Sequence, residues 1–173
     1  MSTVPDQSLR IATRADVDAM ADVFIAAWRS GYRGVVPDDV IDALDVDAVV
    51  ALVQPGLIDA DRTTVVAVRP DTAPDARPAV VGFSQFGPDR DAPADGYVAS
   101  LYVHPDAAGH GVGRALLRYA LDAMPGRDVT LWVFAANARA RRLYERAGFT
   151  PDGAEIVDPR WRTPQIRMRR VSA

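Results

Sequence analysis

The sequence predicts a mixed α/β (α+β) fold. Short apolar runs rich in β-branched residues, typical of strands, alternate with segments whose apolar residues recur every three or four positions, typical of helices. The resulting element order is β-α-α-(α)-β-β-β-α-β-α-β-β. The 173 residues suit one domain, and the sequence contains no repeat, low-complexity tail or long linker that would divide it. We therefore expect residues 1–173 to form a single domain.

The first third of the chain predicts one strand followed by helices. Residues 9–12 alternate between apolar and polar side chains and predict a short strand. Asp16 or Thr13 can cap a helix that runs to about Ser30, because its apolar residues share one face. That face consists of Val17, Met20, Ala21, Phe24, Ile25 and Trp28. Residues 31–37 interrupt the helix, and two short helices follow, the second covering residues 47–53.

The remainder predicts six strands and two helices. The strands cover residues 63–68, 79–86, 97–104 and 128–134, a segment that opens at Phe149, and residues 165–171. Residues 69–78 predict an exposed loop, and the lack of charges in 97–104 indicates a central strand. Asn137 caps a last helix that ends near Ala147, before Gly148. The helix over residues 111–124 is expected to turn inward Val112, Ala115, Leu116, Tyr119, Ala120 and Ala123.

Composition excludes several classes of site. The chain has no cysteine, which excludes disulfides, thiolate metal sites and cysteine nucleophiles, and its two histidines make a histidine-rich metal site improbable. We expect no metal. No apolar run approaches the length needed to cross a bilayer, and the N-terminus lacks the basic and apolar regions of a secretory signal. We therefore expect a cytoplasmic protein without a membrane partner.

Charge is unevenly distributed along the chain. Residues 1–60 hold ten Asp and four Arg, whereas residues 109–173 hold twelve Arg, four Asp and two Glu. All basic residues are arginine, and the net charge of −3 argues against a nucleic-acid partner. The acidic part of the chain suits attraction of a cationic partner.

Glycines between a predicted strand and a predicted helix indicate an anion site. The strand ends at Pro105, and Gly109, Gly111 and Gly113 follow immediately before the helix. Amides at a helix N-terminus point outward, the helix dipole adds partial positive charge, and glycine lets a ligand come close. The sequence does not read Gly-x-Gly-x-x-Gly, and a lysine-containing phosphate loop is excluded because the chain has no lysine. A dinucleotide-binding oxidoreductase is thus disfavoured.

A second segment identifies the anionic ligand through a family resemblance. Residues 137–149 fit the pattern Asn-x-x-Ala-x-x-x-Tyr-x-x-x-Gly-Phe, and residues 108–113 correspond to Gln/Arg-x-x-Gly-x-Gly/Ala with alanine at the first position. Together with the strand that precedes Pro105, these motifs resemble the GNAT superfamily of acyl-CoA-dependent N-acetyltransferases. The resemblance extends in element order over residues 9–171. It implies a mixed, mostly antiparallel central sheet of about six to seven strands with helices on both faces.

The resemblance also implies how acetyl-CoA, the co-substrate, is bound. Amides of the glycine segment hold its pyrophosphate, its amide-bearing arm pairs with the strand edge, and Asn137 contacts the arm. An amide of that strand polarises the thioester carbonyl. Arg114, Arg139, Arg141 or Arg142 could meet the outer phosphate. The cofactor-binding residues expected on this basis are Leu101, Tyr102, Val103, Gly109, His110, Gly111, Val112, Gly113, Arg114, Asn137 and Tyr144.

For catalysis, the resemblance points to Tyr144. This tyrosine protonates or hydrogen-bonds the leaving thiolate in the family, and a phenol is a sensible donor because it stays protonated at neutral pH. Trp28 and Tyr32 lie where the family forms the wall of its acceptor site. The general base stays open, because the position where many relatives carry glutamate corresponds to Tyr97. Asp95 is near it in sequence, and His104 is the other candidate.

Two functions remain open at this point. The first is acetyl transfer to a primary amine by direct attack in a ternary complex, with a small molecule or a peptide as acceptor. The second is an acyl-CoA-binding module or sensor with little turnover, which the missing glutamate favours. The sequence leaves open the acceptor, the preferred acyl length and the oligomeric state, although a homodimer is compatible with the resemblance.

Overall fold

A single seven-stranded sheet runs through the part of the chain that the structure describes. The structure is a computed structural model, and it describes residues 8–69 and 79–172. The strand order is β1-β2-β3-β4-β5-β7-β6, with every neighbouring pair antiparallel except β4 and β5. The mixed, mostly antiparallel sheet expected from the family resemblance is thus confirmed. The strands are β1 (Ser8–Ile11), β2 (Thr63–Arg69), β3 (Ala79–Pro88), β4 (Gly96–Val103), β5 (Val129–Phe134), β6 (Thr150–Asp158) and β7 (Thr163–Arg170).

Six α-helices within the described residues cover the sheet. They are α1 (Val17–Gly31), α2 (Asp38–Asp42), α3 (Val46–Val53), α4 (Pro55–Ile58), α5 (Val112–Asp122) and α6 (Ala138–Arg146). Most boundaries lie within two residues of those expected from the sequence. Most of the loop expected over residues 69–78 falls outside the described residues. Among the helices that the structure describes, none is both long and apolar enough to span a membrane.

Two cores lie on opposite faces of the sheet. On one face, Leu116 of α5 and Phe149 pack against strand residues such as Val98 and Leu131. On the other face, Phe24 and Trp28 of α1 pack against Phe83 and other strand residues. Because successive residues of a strand point to opposite faces, the continuous apolar strands supply both cores. Helices on both faces, as the resemblance implies, are therefore observed.

The inward face of α5 differs from the expected one in two positions. Ala115 and Ala123 are exposed, whereas Leu117 and Met124 are buried. Alanine has too small a side chain to indicate by itself which face of a helix is buried. The larger side chains of Leu117 and of Met124, which lies just after α5, therefore determine which side of the helix packs against the sheet.

Candidate active site

The two central strands run side by side for only part of their length. β4 and β5 pair from Gly96 opposite Val129 to Val98 opposite Leu131. Beyond these three pairs, β4 stays with β3 as far as Val103, and β5 stays with β7. The strands therefore diverge and open a gap, which we call the wedge, between residues 99–103 and 132–134. Backbone groups of β4 that point into the wedge have lost their strand partner, and such groups need another hydrogen-bonding partner.

A bulge marks the point where β4 leaves β5. Gln85 of β3 lies opposite Ser100 and Phe86 lies opposite Val98, so that Ala99 has no partner residue on β3. The buried Gln85 fixes this irregular register. Its Nε2 donates to the Val53 carbonyl at 2.8 Å, and its Oε1 accepts from the Ser100 hydroxyl at 3.3 Å. A bulge bends its strand and increases the local twist, which turns β4 away from β5.

The N-terminus of α5 lies at the end of β4 and carries no side-chain cap. Gly109 and Gly111 have φ values of +85° and +84°, a backbone conformation that side chains other than glycine rarely adopt. Gly111 is the N-cap residue, so no side-chain oxygen accepts from the first turn of the helix. The amides of that turn are therefore available to a ligand. Apart from the adjoining residues of the chain, no atom of the described residues lies within 4 Å of a Cβ built on Gly109 or Gly111, so a Cβ there would face open space.

Close packing brings this helix terminus next to the wedge. A Cβ placed on Gly113 would lie 3.5 Å from Leu143 of α6, 3.6 Å from Val103 and 3.7 Å from Leu101. The first turn of α5 therefore rests against both β4 and α6. The uncapped amides of α5 therefore lie next to the end of β4.

Helix α6 carries the two remaining motif residues. The Asn137 side-chain oxygen accepts from the Ala140 amide at 3.0 Å, so the expected helix cap is present and its NH₂ group can still donate. Tyr144 lies almost two turns further on and is only 7% exposed. Its ring contacts Phe149 edge-on, with centroids 6.0 Å apart. Within the described residues, no side chain hydrogen-bonds to its hydroxyl.

A cavity of about 410 Å³ lies at the wedge, beside α6. We call it the chamber. It is lined by residues of the wedge, by α6, by the C-terminal end of α1 and by the tip of the β6–β7 hairpin. Leu101, Tyr102, Tyr144, Trp28 and Tyr32 are all among its lining residues. The structure thus brings the expected catalytic tyrosine, part of the expected cofactor set and both expected wall residues together.

Tyr144 is buried in the wall of the chamber, and Tyr32 and Tyr102 are half-buried there. Burial raises the pKa of Tyr144 far above its ordinary value, and the nearby Tyr102 phenol raises it further. Burial likewise raises the pKa of Tyr102 to about 12 and that of Tyr32 well above its ordinary value. All three phenols are therefore neutral near pH 7, and each can donate a proton or a hydrogen bond.

Aromatic rings build the wall on the α1 side. Trp28 stacks on Tyr32 with centroids 4.7 Å apart, and Trp161 lies 4.6 Å from Trp28. Trp28 is fully buried, as a core residue would be. Its indole nitrogen makes no hydrogen bond of regular geometry among the residues that the structure describes, but it lies close enough to the Tyr102 hydroxyl to lower the pKa of that group.

The hairpin tip contributes residues that the sequence interpretation missed. Trp161, Asp158 and Arg160 line the chamber. Asp158 ends β6 and accepts from the Arg160 amide at 2.8 Å and from its guanidinium at 2.6 Å, and Arg160 lowers the pKa of Asp158. Arg162 adds an ion pair to Asp39 of α2, which ties the hairpin to the α1 side of the molecule. A tryptophan in a short polar turn is the one sequence signal that could have indicated this role.

Neither candidate for the general base reaches the chamber. His104 caps the turn after β4, where its Nδ1 accepts from the Asp106 amide at 3.2 Å. Asp95 forms an ion pair with Arg169 at 3.0 Å. Tyr97, at the family's glutamate position, does line the chamber. The Arg62 guanidinium lies over the Tyr97 ring, 5.1 Å from the ring centroid. The sequence left the base open, and the described residues place no unpaired carboxylate or imidazole in the chamber.

The arginines near the helix N-termini divide into two groups. Arg114, Arg139 and Arg142 are exposed and form no ion pair within the described residues. Arg141 instead donates to the Ala135 carbonyl at 3.1 Å and lies 3.9 Å from Glu145. The first three are therefore free to meet an anion, whereas Arg141 supports the start of α6.

Comparison with known proteins gives a consistent result. The model of the acetyltransferase (GNAT) family matches residues 23–149. A probable N-acetyltransferase of Mycobacterium tuberculosis is 38% identical over 73 residues, which cover 42% of each chain. A mycothiol acetyltransferase of Beutenbergia cavernae is 51% identical over 61 residues, which cover 34% of this chain and 20% of that protein. The chain thus matches less than half the length of these curated relatives.

A solved structure shares the fold along almost the whole chain. The PaiA N-acetyltransferase of Thermoplasma acidophilum, solved in complex with coenzyme A, superposes with a TM-score of 0.72 at 17% identity and 99% coverage of both chains. At that identity the likeness concerns the fold. Together with the family match, which covers most of the sequence, it shows that this chain belongs to the GNAT acetyltransferase family.

Proposed function

We propose that this chain is an N-acetyltransferase that moves an acetyl group from acetyl-CoA to a primary amine by direct attack in a ternary complex. One observation carries the proposal: the unpaired edge of β4 and the Tyr144 side chain border one cavity, and the uncapped N-terminus of α5 packs against Leu101 and Leu143, which also line that cavity. Family membership supports the reaction class.

Two features of this region fit the chemistry of coenzyme A. The free amides of the first turn of α5, with open space at Gly109 and Gly111, suit a diphosphate. The backbone of residues 101–103 offers strand-like hydrogen bonds to a chain that carries amide groups. Val112, Gly113 and Arg114 would contribute amides, Arg114 could add its side chain, and His110 would border the phosphates. Asn137 would donate from its NH₂ group to the arm.

The wedge and Tyr144 would then act on different atoms of the thioester, the wedge on its oxygen and Tyr144 on its sulfur. A β4 amide that points into the wedge would donate to the thioester oxygen and stabilise the charge that grows on it as the amine nitrogen bonds to the carbonyl carbon. As the carbon–sulfur bond breaks, the Tyr144 hydroxyl would protonate the departing sulfur, and the phenolate left behind would take up a proton through water. The proton that the amine loses would leave through water, because within the described residues no unpaired carboxylate or imidazole lines the chamber.

The direct test is a free-thiol release screen with acetyl-CoA and a panel of amines. Relatives named mycothiol acetyltransferases justify a mycothiol-related amine in that panel, beside polyamines, amino acids, aromatic amines and peptide N-termini. We expect thiol release that depends on both acetyl-CoA and an amine. Acetyl-CoA binding without thiol release from any amine would contradict acetyl transfer.

An acyl-CoA sensor is the second candidate, favoured by the absence of an unpaired base from the described part of the chamber. Such a module would bind acetyl-CoA through the same wedge and helix terminus but would turn it over slowly. Calorimetry with acetyl-CoA and with the non-acylated coenzyme separates the two functions when it is combined with the thiol screen. Tight binding with multiple turnovers supports the enzyme, whereas tight binding without turnover supports the sensor.

A further inference from the structure

The charges that line the chamber cancel. Six titratable side chains lie there among the described residues, namely Tyr32, Tyr97, Tyr102, Tyr144, Asp158 and Arg160. The four tyrosines are neutral near pH 7. Asp158 and Arg160 neutralise one another through contacts of 2.6 and 3.1 Å, and both oxygens of the carboxylate accept from the arginine. The chamber therefore offers no uncompensated negative charge to an ammonium group.

The rest of the lining is aromatic to an unusual degree. All three tryptophans of the chain line the chamber, as do four of its five tyrosines. Aromatic faces attract cations, but this attraction is smaller than the cost of removing an ammonium ion from water without a counter-charge. The same faces stack well on a flat apolar group. The lining thus selects for a neutral ligand with a flat body.

Given the acetyl transfer proposed above, we propose that the acceptor is a weakly basic primary amine on an aromatic body, bound in its neutral form. Near pH 7, an amine with the basicity of a lysine side chain is neutral in roughly one molecule of 2,500, whereas an α-amino group is neutral in roughly one of ten. Since the described residues place no base in the chamber to remove the proton, the neutral fraction of the amine directly limits the rate.

The first experiment compares phenylalaninamide with 2-phenylethylamine, which share a phenylethyl skeleton but differ in the basicity of the amine. At pH 7 we expect phenylalaninamide to show a kcat/KM roughly 100-fold higher, in line with its larger neutral fraction. Raising the pH should increase kcat/KM for each amine until the pKa of that amine is reached. A midpoint common to both amines would reveal a protein base and overturn the inference, as would a preference for 2-phenylethylamine at pH 7.

A second experiment changes the charge balance of the chamber. Arg160→Gln leaves Asp158 without its partner, so an ammonium group gains a counter-ion and the preference for the weakly basic amine should shrink roughly tenfold. The double substitution Asp158→Asn with Arg160→Gln removes both charges and should restore the wild-type preference. Arg90→Gln is the matched control, because it breaks the exposed ion pair with Asp59 away from the chamber. Equal preferences in all four proteins would contradict the inference.

Tryptophan emission separates this inference from the proposed function. Because all three tryptophans line the chamber, amine binding can be titrated without turnover. If neither amine releases thiol, acetyl transfer to such amines fails as the function. The emission titration then still decides whether the chamber binds the neutral form of the amine. At pH values below the pKa of 2-phenylethylamine, its apparent Kd should fall roughly tenfold for each unit by which the pH is raised. A Kd independent of pH would overturn binding of the neutral form.

Discussion

At the scale of single residues, the candidate site depends on a few positions with distinct physical roles. Tyr144 supplies a neutral hydroxyl in a desolvated place, and Gly111 supplies a backbone angle that exposes helix amides. The sequence pattern predicted that both positions matter, because motifs of this kind are local in the chain. Their burial and surroundings depend on distant residues such as Trp28 and Tyr102, which periodicity alone does not place.

Tyr144→Phe tests the role of the hydroxyl. Removing the oxygen keeps the ring packed against Phe149 but leaves the departing sulfur without its proton donor. We expect kcat to fall roughly 100-fold or more, with the Kd for acetyl-CoA nearly unchanged. Tyr119→Phe is the control, because Tyr119 does not line the chamber and its ring packs against Phe86. Comparable losses in kcat and in acetyl-CoA affinity for Tyr144→Phe would contradict proton donation.

Gly111→Ala tests the backbone of the helix N-terminus. Alanine at φ +84° is strained although space for a Cβ is free, and we expect a loss of about 1–2 kcal/mol in unfolding free energy. Gly113→Ala is the matched substitution two residues later, inside α5, where the added Cβ meets neighbours at ordinary contact distances. It should be neutral or stabilising by up to about 1 kcal/mol. Chemical denaturation of both variants gives the comparison, and equal destabilisation would refute the strain argument.

At the scale of elements, the start of α1 is joined to β1 by one buried carboxylate. Asp16 accepts from the Arg10 guanidinium at 2.7 and 2.8 Å and from the Thr13 amide at 2.7 Å. Arg10 first, and then the Thr13 donors, lower the pKa of Asp16 to about 2, against the opposing effect of burial. The sequence predicted a cap at Thr13 or Asp16, but the partner Arg10 follows from the position of β1 beside β2.

Asp16→Asn should therefore alter stability in a pH-dependent way. Because the pKa is lower in the folded state, the charge of Asp16 stabilises the fold above about pH 4, and this stabilisation is lost as the pH falls toward 2. We expect the difference in unfolding free energy between wild type and variant to shrink by about 1–2 kcal/mol over that range, since Arg10 is partly exposed to solvent. Denaturation curves at several pH values measure it.

The control is Asp22→Asn, an exposed neutralisation on the same helix. The difference in unfolding free energy between wild type and Asp22→Asn should change little over the same pH range. The ion pair with Arg10 would be contradicted if the difference in unfolding free energy between wild type and Asp16→Asn stayed constant between pH 5 and pH 2.

The order of the strands and of the longer helices was readable from the sequence, as was the cap of α6, because such features depend on neighbours within one turn, whereas α4 and the Asp45 cap of α3 were not predicted. Asn137 caps α6 as expected, and β4 is the central strand as its few charges indicated. The bulge at Ala99 was not readable, since Gln85 and Val53, which fix it, lie far away in the sequence. Trp161 and Arg160 were missed for the same reason: their place in the chamber follows from the hairpin folding back onto α1.

At the scale of the whole molecule, the uneven charge of the sequence becomes a feature of the surface. Exposed arginines Arg114, Arg139 and Arg142 lie at or near the beginnings of α5 and α6, while the net charge of the protein is −3. The proposed co-substrate, acetyl-CoA, is a polyanion and would therefore be attracted locally by a protein that is negative as a whole. Such attraction weakens with salt, because exposed charges are screened beyond about 8–10 Å at ordinary ionic strength.

The KM for acetyl-CoA should accordingly rise several-fold between low salt and about 0.5 M salt, whereas the KM for a neutral acceptor should change little. Arg114→Gln should reduce the salt dependence. Arg118→Gln, on the same helix but paired with Asp122, is the control and should leave it intact. Equal salt dependence in both variants would argue against a phosphate contact by Arg114.

The separation of β4 from β5 also has a kinetic consequence for the free protein. In the described part of the chain, β4 and β5 form three residue pairs, so water can enter the sheet where the two strands separate. Amide protons of residues 99–103 that face away from β3 should exchange with deuterium far faster than those of β2 or β3 at the same depth. Acetyl-CoA bound along that edge should slow the same protons selectively, residue by residue.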